Sequence, residues 1–330
     1  MDDLANRLNL ALEARSKILH EKHHSALRLF AGFYEGLPDL IADLYADTLV
    51  FFDYGEDGQV GKDNLRLAED FYLSKLLWID CVVQKTRHSP DIKKRRGLIT
   101  YGDKPAAQIV ENDIAFAIDL LLNQDASFYC DTRNLRNWLT ENAAGWQVLN
   151  TFAYTGSLGI AALAGGADYV IQTDQNKKFL AIARQSAIAN HLDLGKMKLR
   201  RNNFFSEVAR LKREKILFDC VIFDPPFFSS TSKGTLDLVY QSTRLINKVR
   251  PLVKDGGWLV AINNALFLSG TDYMQSLEQL CQDGYLSIEQ IIPIPEDITG
   301  FPQTITNDHP VDPTPFNHPT KISILKVKRK

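Results

Sequence analysis

The stretch WQVLNTFAYTGSLGIAALAGGADYVIQTD, residues 146–174, decides the fold class. WQVLNTF is an apolar strand, GSLGIAALAGG a helix closed by glycines, and YVIQTD a second strand, so the segment reads strand, glycine turn, helix, strand. The rhythm continues with a long amphipathic helix QNKKFLAIARQSAIANH (175–191), KMKLRRNN (196–203), helical FFSEVARLKREK (204–215), the strand LFDCVIFD (217–224), helical TRLINKVRPLV (243–253) and the strand GGWLVAIN (256–263). Strands alternating with helices predict an α/β fold, a doubly wound, Rossmann-like parallel sheet with ligands at the carboxyl ends of its strands.

Upstream the texture differs. Residues 1–30 carry Leu4, Leu8, Leu12, Ile18 and Leu19 at helical spacing and predict a leading amphipathic helix, with His20, His23 and His24 at its solvated end and no second cluster to make them metal ligands. Short strands follow at TLVFF (48–52), LLWIDCVV (76–83) and AQIVENDIAFAIDLLL (107–122), the last broken at Glu111–Asp113, with a helix at Gly61–Phe71. The expected organisation is an N-terminal helix (1–26), a smaller mixed α/β domain (27–127) and the doubly wound domain (128–330), in keeping with 330 residues.

With 45% hydrophobic residues and 24% charged, the chain can bury a core. Its 38 Lys and Arg against 40 Asp and Glu leave a net charge of -2, so any polyanion surface has to be a local patch. The start MDDLANRLNL lacks a basic stretch before an apolar one, and no apolar run reaches about 18 residues, so neither a secretory leader nor a membrane span is expected. The four cysteines, Cys81, Cys130, Cys220 and Cys281, form no CxxC pair. A reduced, cytoplasmic protein without a metal site is the expectation.

Two strand ends carry the chemistry. The first runs Asn150 to Gly159 and has a glycine turn but no GxGxxG, which argues against a nicotinamide or flavin. Asp174, eighteen residues after Gly156, stands where an acid accepts hydrogen bonds from two ribose hydroxyls, or else caps the helix that follows. The second is FDCVIFDPPFF (218–228), in which Asp224, Pro225, Pro226 and Phe227 close an apolar strand. A carboxylate and carbonyls held rigid by two prolines beside an aromatic ring can orient and stack a planar base; a proline-rich turn after a core strand is the plainer reading.

In that order these elements resemble the class I S-adenosylmethionine-dependent methyltransferases, and more closely the bacterial large-subunit ribosomal RNA methyltransferases of the I and K types. LRLFAGFYEGLPDLIADLYADTLVF (27–51), FYCDTRNLRNWL (128–139, similar to Phe-x-x-Asp-x-Arg-x-x-Arg), NTFAYTG and DPPFFS carry the resemblance. It implies S-adenosylmethionine as cofactor, surrounded by Phe152, Tyr154, Thr155, Gly156 and Asp174. Asn202 stands where relatives often have an Asp near the adenine, with Asn203 as an alternative. It further implies that Asp224, Pro225 and Phe227 face the target base, and that Asp131, Arg133 and Arg136 serve the substrate, although a helix-opening salt bridge explains such charges as well.

The resemblance also frames the partner and the atom modified. I-type relatives carry an RNA-binding PUA module ahead of the matching segment; with about 26 residues there, this chain is expected to lack it and to hold ribosomal RNA by local cations. Candidates are Lys85, Arg87, Lys93, Lys94, Arg95 and Arg96, then Arg200, Arg201, Lys212 and Arg213, then the tail KVKRK. Methylation of cytosine carbon 5 requires a thiolate, and Cys220 inside an apolar strand is expected to be inert. Where cytosine-modifying relatives carry Ser-Cys-Ser, this chain has Asn263-Asn264, similar to K-type enzymes that methylate guanine nitrogen 7. An exocyclic amine, a small-molecule or protein substrate, and a cofactor-binding protein without transfer stay open.

Overall fold

The computed structural model describes residues 2–20, 23–55, 60–226, 228–231, 234–237 and 242–329. The chain divides into two compact units: Met1–Cys130 with Pro295–Asp308, and Asp131–Ile294 with His309–Lys330.

The first unit runs α1 (Asp2–Ala14), β1 (Ala26–Phe30), β2 (Leu40–Tyr45), β3 (Thr48–Asp53), α2 (Val60–Lys75), β4 (Cys81–Thr86), α3 (Ile92–Arg96), β5 (Leu98–Tyr101), β6 (Gln108–Glu111) and β7 (Ile114–Ala117). Strands β1 to β5 form one sheet in that order, with β3 and β4 parallel across the α2 crossover. β6 and β7 form a hairpin whose turn residues Asn112 and Asp113 have φ of 50° and 62°, the conformation such a tight turn needs.

The leading helix is shorter than its apolar spacing predicts. It ends at Ala14 because Arg15 turns inward, fully buried, and forks onto Glu35 at 2.9 and 3.1 Å while donating to the carbonyls of Ala11, Arg28 and Asp297. A guanidinium is buried only with its donors satisfied, and these acceptors come from distant sequence. His20, His23 and His24 therefore lie beyond the helix, with His23 buried. The strand predicted at 76–83 begins only at Cys81, because Leu76 to Ile79 make a turn (Ile79 N to Leu76 O, 3.1 Å) that leaves Leu77 87% exposed.

The second unit runs α4 (Arg133–Asn142), β8 (Gln147–Asn150), α5 (Ser157–Ala164), β9 (Tyr169–Asp174), α6 (Lys177–Ala189), β10 (Met197–Arg201), α7 (Phe204–Arg213), β11 (Phe218–Phe223), β12 (Phe228–Thr231), β13 (Gly234–Asp237), α8 (Ser242–Val249), β14 (Val253–Asn263), α9 (Gly270–Cys281), β15 (Leu286–Ile292) and β16 (Lys321–Val327). The short helix α10 (Glu296–Thr299) falls in the first unit's second segment.

The main sheet has the order β10-β9-β8-β11-β14-β16-β15, and β16 alone is antiparallel to both of its neighbours. This is the doubly wound α/β architecture that the alternation predicts. Chain order reverses between β8 and β11, whose carboxyl ends form the switch point where such sheets hold ligands. Leu149, Val221, Phe223, Leu259, Ala261 and Leu325 pack there with Phe204, Val208 and Tyr273 in one buried cluster. Among the described residues no helix is long and apolar enough to cross a membrane.

Candidate active site

Asp174 ends β9 and is partly buried. Its Oδ2 accepts the backbone N–H of Tyr154 at 3.0 Å and its Oδ1 that of Asn176 at 2.8 Å. Burial raises the carboxyl pKa, and these amides with that of Gln175 oppose the rise. The group is thus fixed by backbone amides and keeps acceptor capacity toward the solvent side. The helix cap belongs to Asn176, whose Oδ1 accepts the Lys178 N–H at 3.0 Å.

The loop facing Asp174 is locked from below. Thr151 donates from both backbone N and Oγ1 to the Ile222 carbonyl, and Ala153 N donates to the Thr173 carbonyl at 2.8 Å. Tyr154 has a φ of 51° and packs edge-on against Phe179 at 4.6 Å. Thr155 is buried, and Gly156 follows at a φ of 83°, at the start of α5. The glycines answer an internal demand that the sequence did not reveal. A Cβ at Gly156 would sit 2.5 Å from the Ala183 Cβ, and one at Gly159 would sit 2.5 Å from the Cδ of fully buried Gln172. Gln172 on β9 thus draws α5 onto the sheet.

Phe152, Asn202 and Asn203 are more committed to the protein. Phe152 stacks on Phe204 with centroids 4.9 Å apart and meets Phe223 edge-on at 5.9 Å. Asn202 donates its side-chain amide to Glu207 at 3.0 Å, and its Oδ1 accepts the Asn203 N–H at 2.9 Å. Asn203 caps α7: its Oδ1 accepts the Ser206 N–H and its Nδ2 donates to Ser206 Oγ, both at 2.9 Å. Glu207, buried and bound to Arg210, was not a candidate from sequence; an acid at the fourth helical position of FFSE was its only signal.

At the end of β11, Asp224 Oδ1 accepts the Asn264 side-chain N–H at 3.1 Å. Burial, reinforced by the negative charge of Asp131, pushes the Asp224 carboxyl up to about 7, against the pull of the Asn264 amide. Pro225 is buried and Pro226 exposed; Phe227 lies outside the described residues. Asn264 is presented by a turn in which Asn263 Oδ1 accepts the Ala265 N–H at 3.0 Å. Asn263 itself is 0% exposed and Asn264 partly exposed, so of the two amides only that of Asn264 is accessible.

A buried lysine secures that turn. Lys321, which opens β16, donates from Nζ to the carbonyls of Ala265 at 2.9 Å and Pro319 at 2.7 Å, and burial pushes its ammonium down to about 8. Its neighbour Thr320 donates to Asp131 Oδ2 at 3.1 Å. Arg136 is 1% exposed and donates to Thr132 Oγ1 at 2.8 Å; it braces the start of α4 and does not reach solvent, where a substrate would have to meet it. Arg133 opens α4 half-buried. Cys220 is 0% exposed, and burial holds its thiol far above the usual range. Among the described residues no group of three His, Cys, Asp or Glu side chains is placed to hold a metal.

A family model described as S-adenosylmethionine-dependent methyltransferase matches residues 81–288. The chain belongs to that family. This methyltransferase is 30% identical over 244 residues to ribosomal RNA large subunit methyltransferase I of Aeromonas hydrophila, covering 72% of this chain and 60% of that relative. It is 26% identical over 321 residues to the protein of the same name from Aliivibrio fischeri, covering 94% and 76%. The chain thus spans about 60% of the length of the Aeromonas relatives. Its fold matches that of SMU.776, crystallised with SAH, at a TM-score of 0.85 and 23% identity, over 99% of this chain and 81% of that one. A tRNA m1G37 methyltransferase from M. jannaschii matches at 0.57 and 13% identity, over 98% and 78%.

Proposed function

We propose that this methyltransferase transfers the methyl group of S-adenosylmethionine to a base of ribosomal RNA, at guanine ring nitrogen 7. The observation that carries the reading is the Asp224–Asn264 pair at the switch point, with the one cysteine of that strand, Cys220, fully buried and its thiol pushed up by burial. The names of the curated relatives support ribosomal RNA as the substrate class, and a cytoplasmic location follows from it.

The residues present fit the cofactor. Asp174, a carboxylate held in place by backbone amides, suits the ribose hydroxyls; the backbone from Tyr154 to Gly156 lies beside it, and the remaining acceptor capacity of Asn202 Oδ1 suits an adenine amine. When bound, the cofactor supplies a sulfonium methyl open to in-line attack. The protein's part is to hold the nucleophile about 3 Å from that methyl.

Asp224 accepts hydrogen bonds from the base, with guanine N1–H and N2–H as matching donors, and Asn264 fixes the carboxylate. Nitrogen 7 has a free lone pair and loses no proton, so no general base is needed. The product ring is a cation, and the Asp224 carboxylate, in its ionised form, stabilises it. Carbon 5 of cytosine requires a thiolate to add first, which buried Cys220 does not provide.

Mass mapping of ribosomal RNA nucleosides from cells with and without the protein tests this reading. Loss of one 7-methylguanosine is expected. Loss of 5-methylcytosine would overturn the chemistry, and an unchanged map would overturn the ribosomal substrate.

A further inference from the structure

The sequence holds three basic runs of equal promise, and the structure separates them. The tail is engaged: Lys326 lies 3.6 Å over the Trp258 ring, and Arg329 donates to the carbonyls of Pro251 and Val253. In the second run Arg201 donates to the Gln175 carbonyl and Arg200 is half-buried, while Lys212 and Arg213 stay exposed at the end of α7. In the first run Lys85 is fully buried, and Arg87 is paired with Asp125 at 2.8 Å. Lys93, Lys94 and Arg96 gather three cations on one short helix. All three are exposed on α3, and among the described residues none of their side chains makes a hydrogen bond or ion pair.

What lies beside them is unusual for a solvated face. β5 is the edge strand of the first sheet, and all four of its residues are exposed, including Leu98 at 44%, Ile99 at 37% and Tyr101 at 46%. Two of the neighbouring acids are occupied, Asp91 capping α3 through the Lys93 N–H and Glu69 accepting from Gln84 and Thr100, while Asp80 and Asp103 lie exposed by the far end of β5. The patch is also held in place. Lys85 reaches under it to donate to the carbonyls of Arg96 and Asn123, and Gly97, at a φ of 121°, fits where a Cβ would meet Val83 Cγ1 at 2.6 Å. A buried ammonium spent on backbone carbonyls, without a carboxylate partner, serves to fix the segment above it.

We infer that α3 and β5 form an RNA-binding surface, in which Lys93, Lys94 and Arg96 contact phosphates and Tyr101, flanked by Ile99, stacks on an unpaired base. The inference rests on the RNA reading above and assigns it a surface. Free cations next to an exposed aromatic match the two halves of a nucleic acid, whereas a protein strand added to the β5 edge would have to bring its backbone beside a dense positive charge.

The test uses the full chain and a fluorescein-labelled 30-nucleotide hairpin RNA, with affinity measured by anisotropy across a salt series. In the triple variant Lys93→Ala, Lys94→Ala, Arg96→Ala we expect affinity to fall about 10- to 100-fold at 0.1 M salt, and the slope of log affinity against log salt to shrink by about 2 to 3. Tyr101→Ala should cost about five- to tenfold with the slope unchanged. Thermal melting and S-adenosylhomocysteine titration, both expected to match wild type, show that the variants are folded. Salt-dependent binding by wild type that the triple variant retains would overturn the surface while leaving the RNA reading intact. Absence of RNA binding by wild type would overturn both. A concentration-dependent dimer in sedimentation, strengthened by the triple substitution, would assign the β5 edge to a second copy of the chain instead.

Discussion

At the end of β9 a carboxylate is held by backbone amides alone, whereas at the end of β11 a carboxylate is held by a side-chain amide and faces a second acid. The first arrangement is set by the path of the chain, so it survives most side-chain changes. The second depends on Asn264, on the turn that Lys321 secures, and on the charge of Asp131. Its acid is poised to titrate near neutrality. A rigid wall suits a cofactor whose shape never varies; a tunable one suits a base that has to be admitted, oriented and released.

The largest effect should come from the tunable wall. Asp224→Ala is expected to lower single-turnover methyl transfer about 1000-fold while S-adenosylhomocysteine affinity, measured by calorimetry, stays within about threefold. Equal losses in both would move Asp224 to the cofactor side. With its carboxyl pushed up to about 7, wild-type transfer should rise with pH below that value and level off above it, a limb missing from Asp224→Asn. Stability runs the other way. A carboxyl whose folded pKa is raised favours folding fully below its ordinary value near 3.8 and loses that contribution as pH climbs through about 7, so Asp224→Asn should gain on wild type between pH 4 and pH 8.

The rigid wall breaks at Asp174. Asp174→Ala should weaken S-adenosylhomocysteine binding by about 1 to 3 kcal/mol, because two ribose hydroxyls lose a charged acceptor. Transfer at saturating cofactor should suffer less than binding does. A variant that binds normally would return Asp174 to a purely local role in its turn.

A smaller effect tests why that wall is rigid. In Gly159→Ala the new methyl meets Gln172 at 2.5 Å, so a loss of about 1 to 3 kcal/mol in denaturant unfolding is expected, with most of it recovered when Gln172→Ala is added. If the double variant recovers nothing, the glycine is required by something other than Gln172.

The two walls were not equally legible in the sequence. β8, β9, β11 and β14 are buried parallel strands that read as continuous apolar runs between helices, so the doubly wound fold and the positions of Gly156, Asp174 and Asp224 could be placed from spacing alone. β15 and β16 went unread, because LSIEQII and KISILKV lie outside the parallel strand–helix alternation and take their place by antiparallel pairing across the sheet. Lys321 is the sharpest case: a lysine reads as solvent-facing, and its burial depends on the carbonyls of Ala265 and Pro319, one of them 56 residues away. Arg15 fails the same reading for the same reason, with acceptors on Arg28, Glu35 and Asp297. Asn203 was legible only as an alternative to Asn202, and its capping of α7 shows only in the Ser206 contacts.

The smallest expected effect on activity bears most directly on the chemistry. Cys220 lies in the middle of β11, between Val148 and Trp258 of the neighbouring strands, with no exposure. Replacing its sulfur with a hydroxyl puts a polar group into an apolar strand, so Cys220→Ser should lose about 1 to 3 kcal/mol of stability, read as a lower unfolding midpoint. Activity per folded molecule, measured well below that midpoint, should stay within about twofold of wild type, because a thiol that burial keeps protonated takes no part in transfer to a ring nitrogen. Complete loss of transfer in a folded Cys220→Ser protein, together with an RNA adduct trapped on the wild-type thiol, would mean that the strand opens to expose the sulfur. The tunable wall would then serve a covalent attack on carbon, and the guanine assignment would fall.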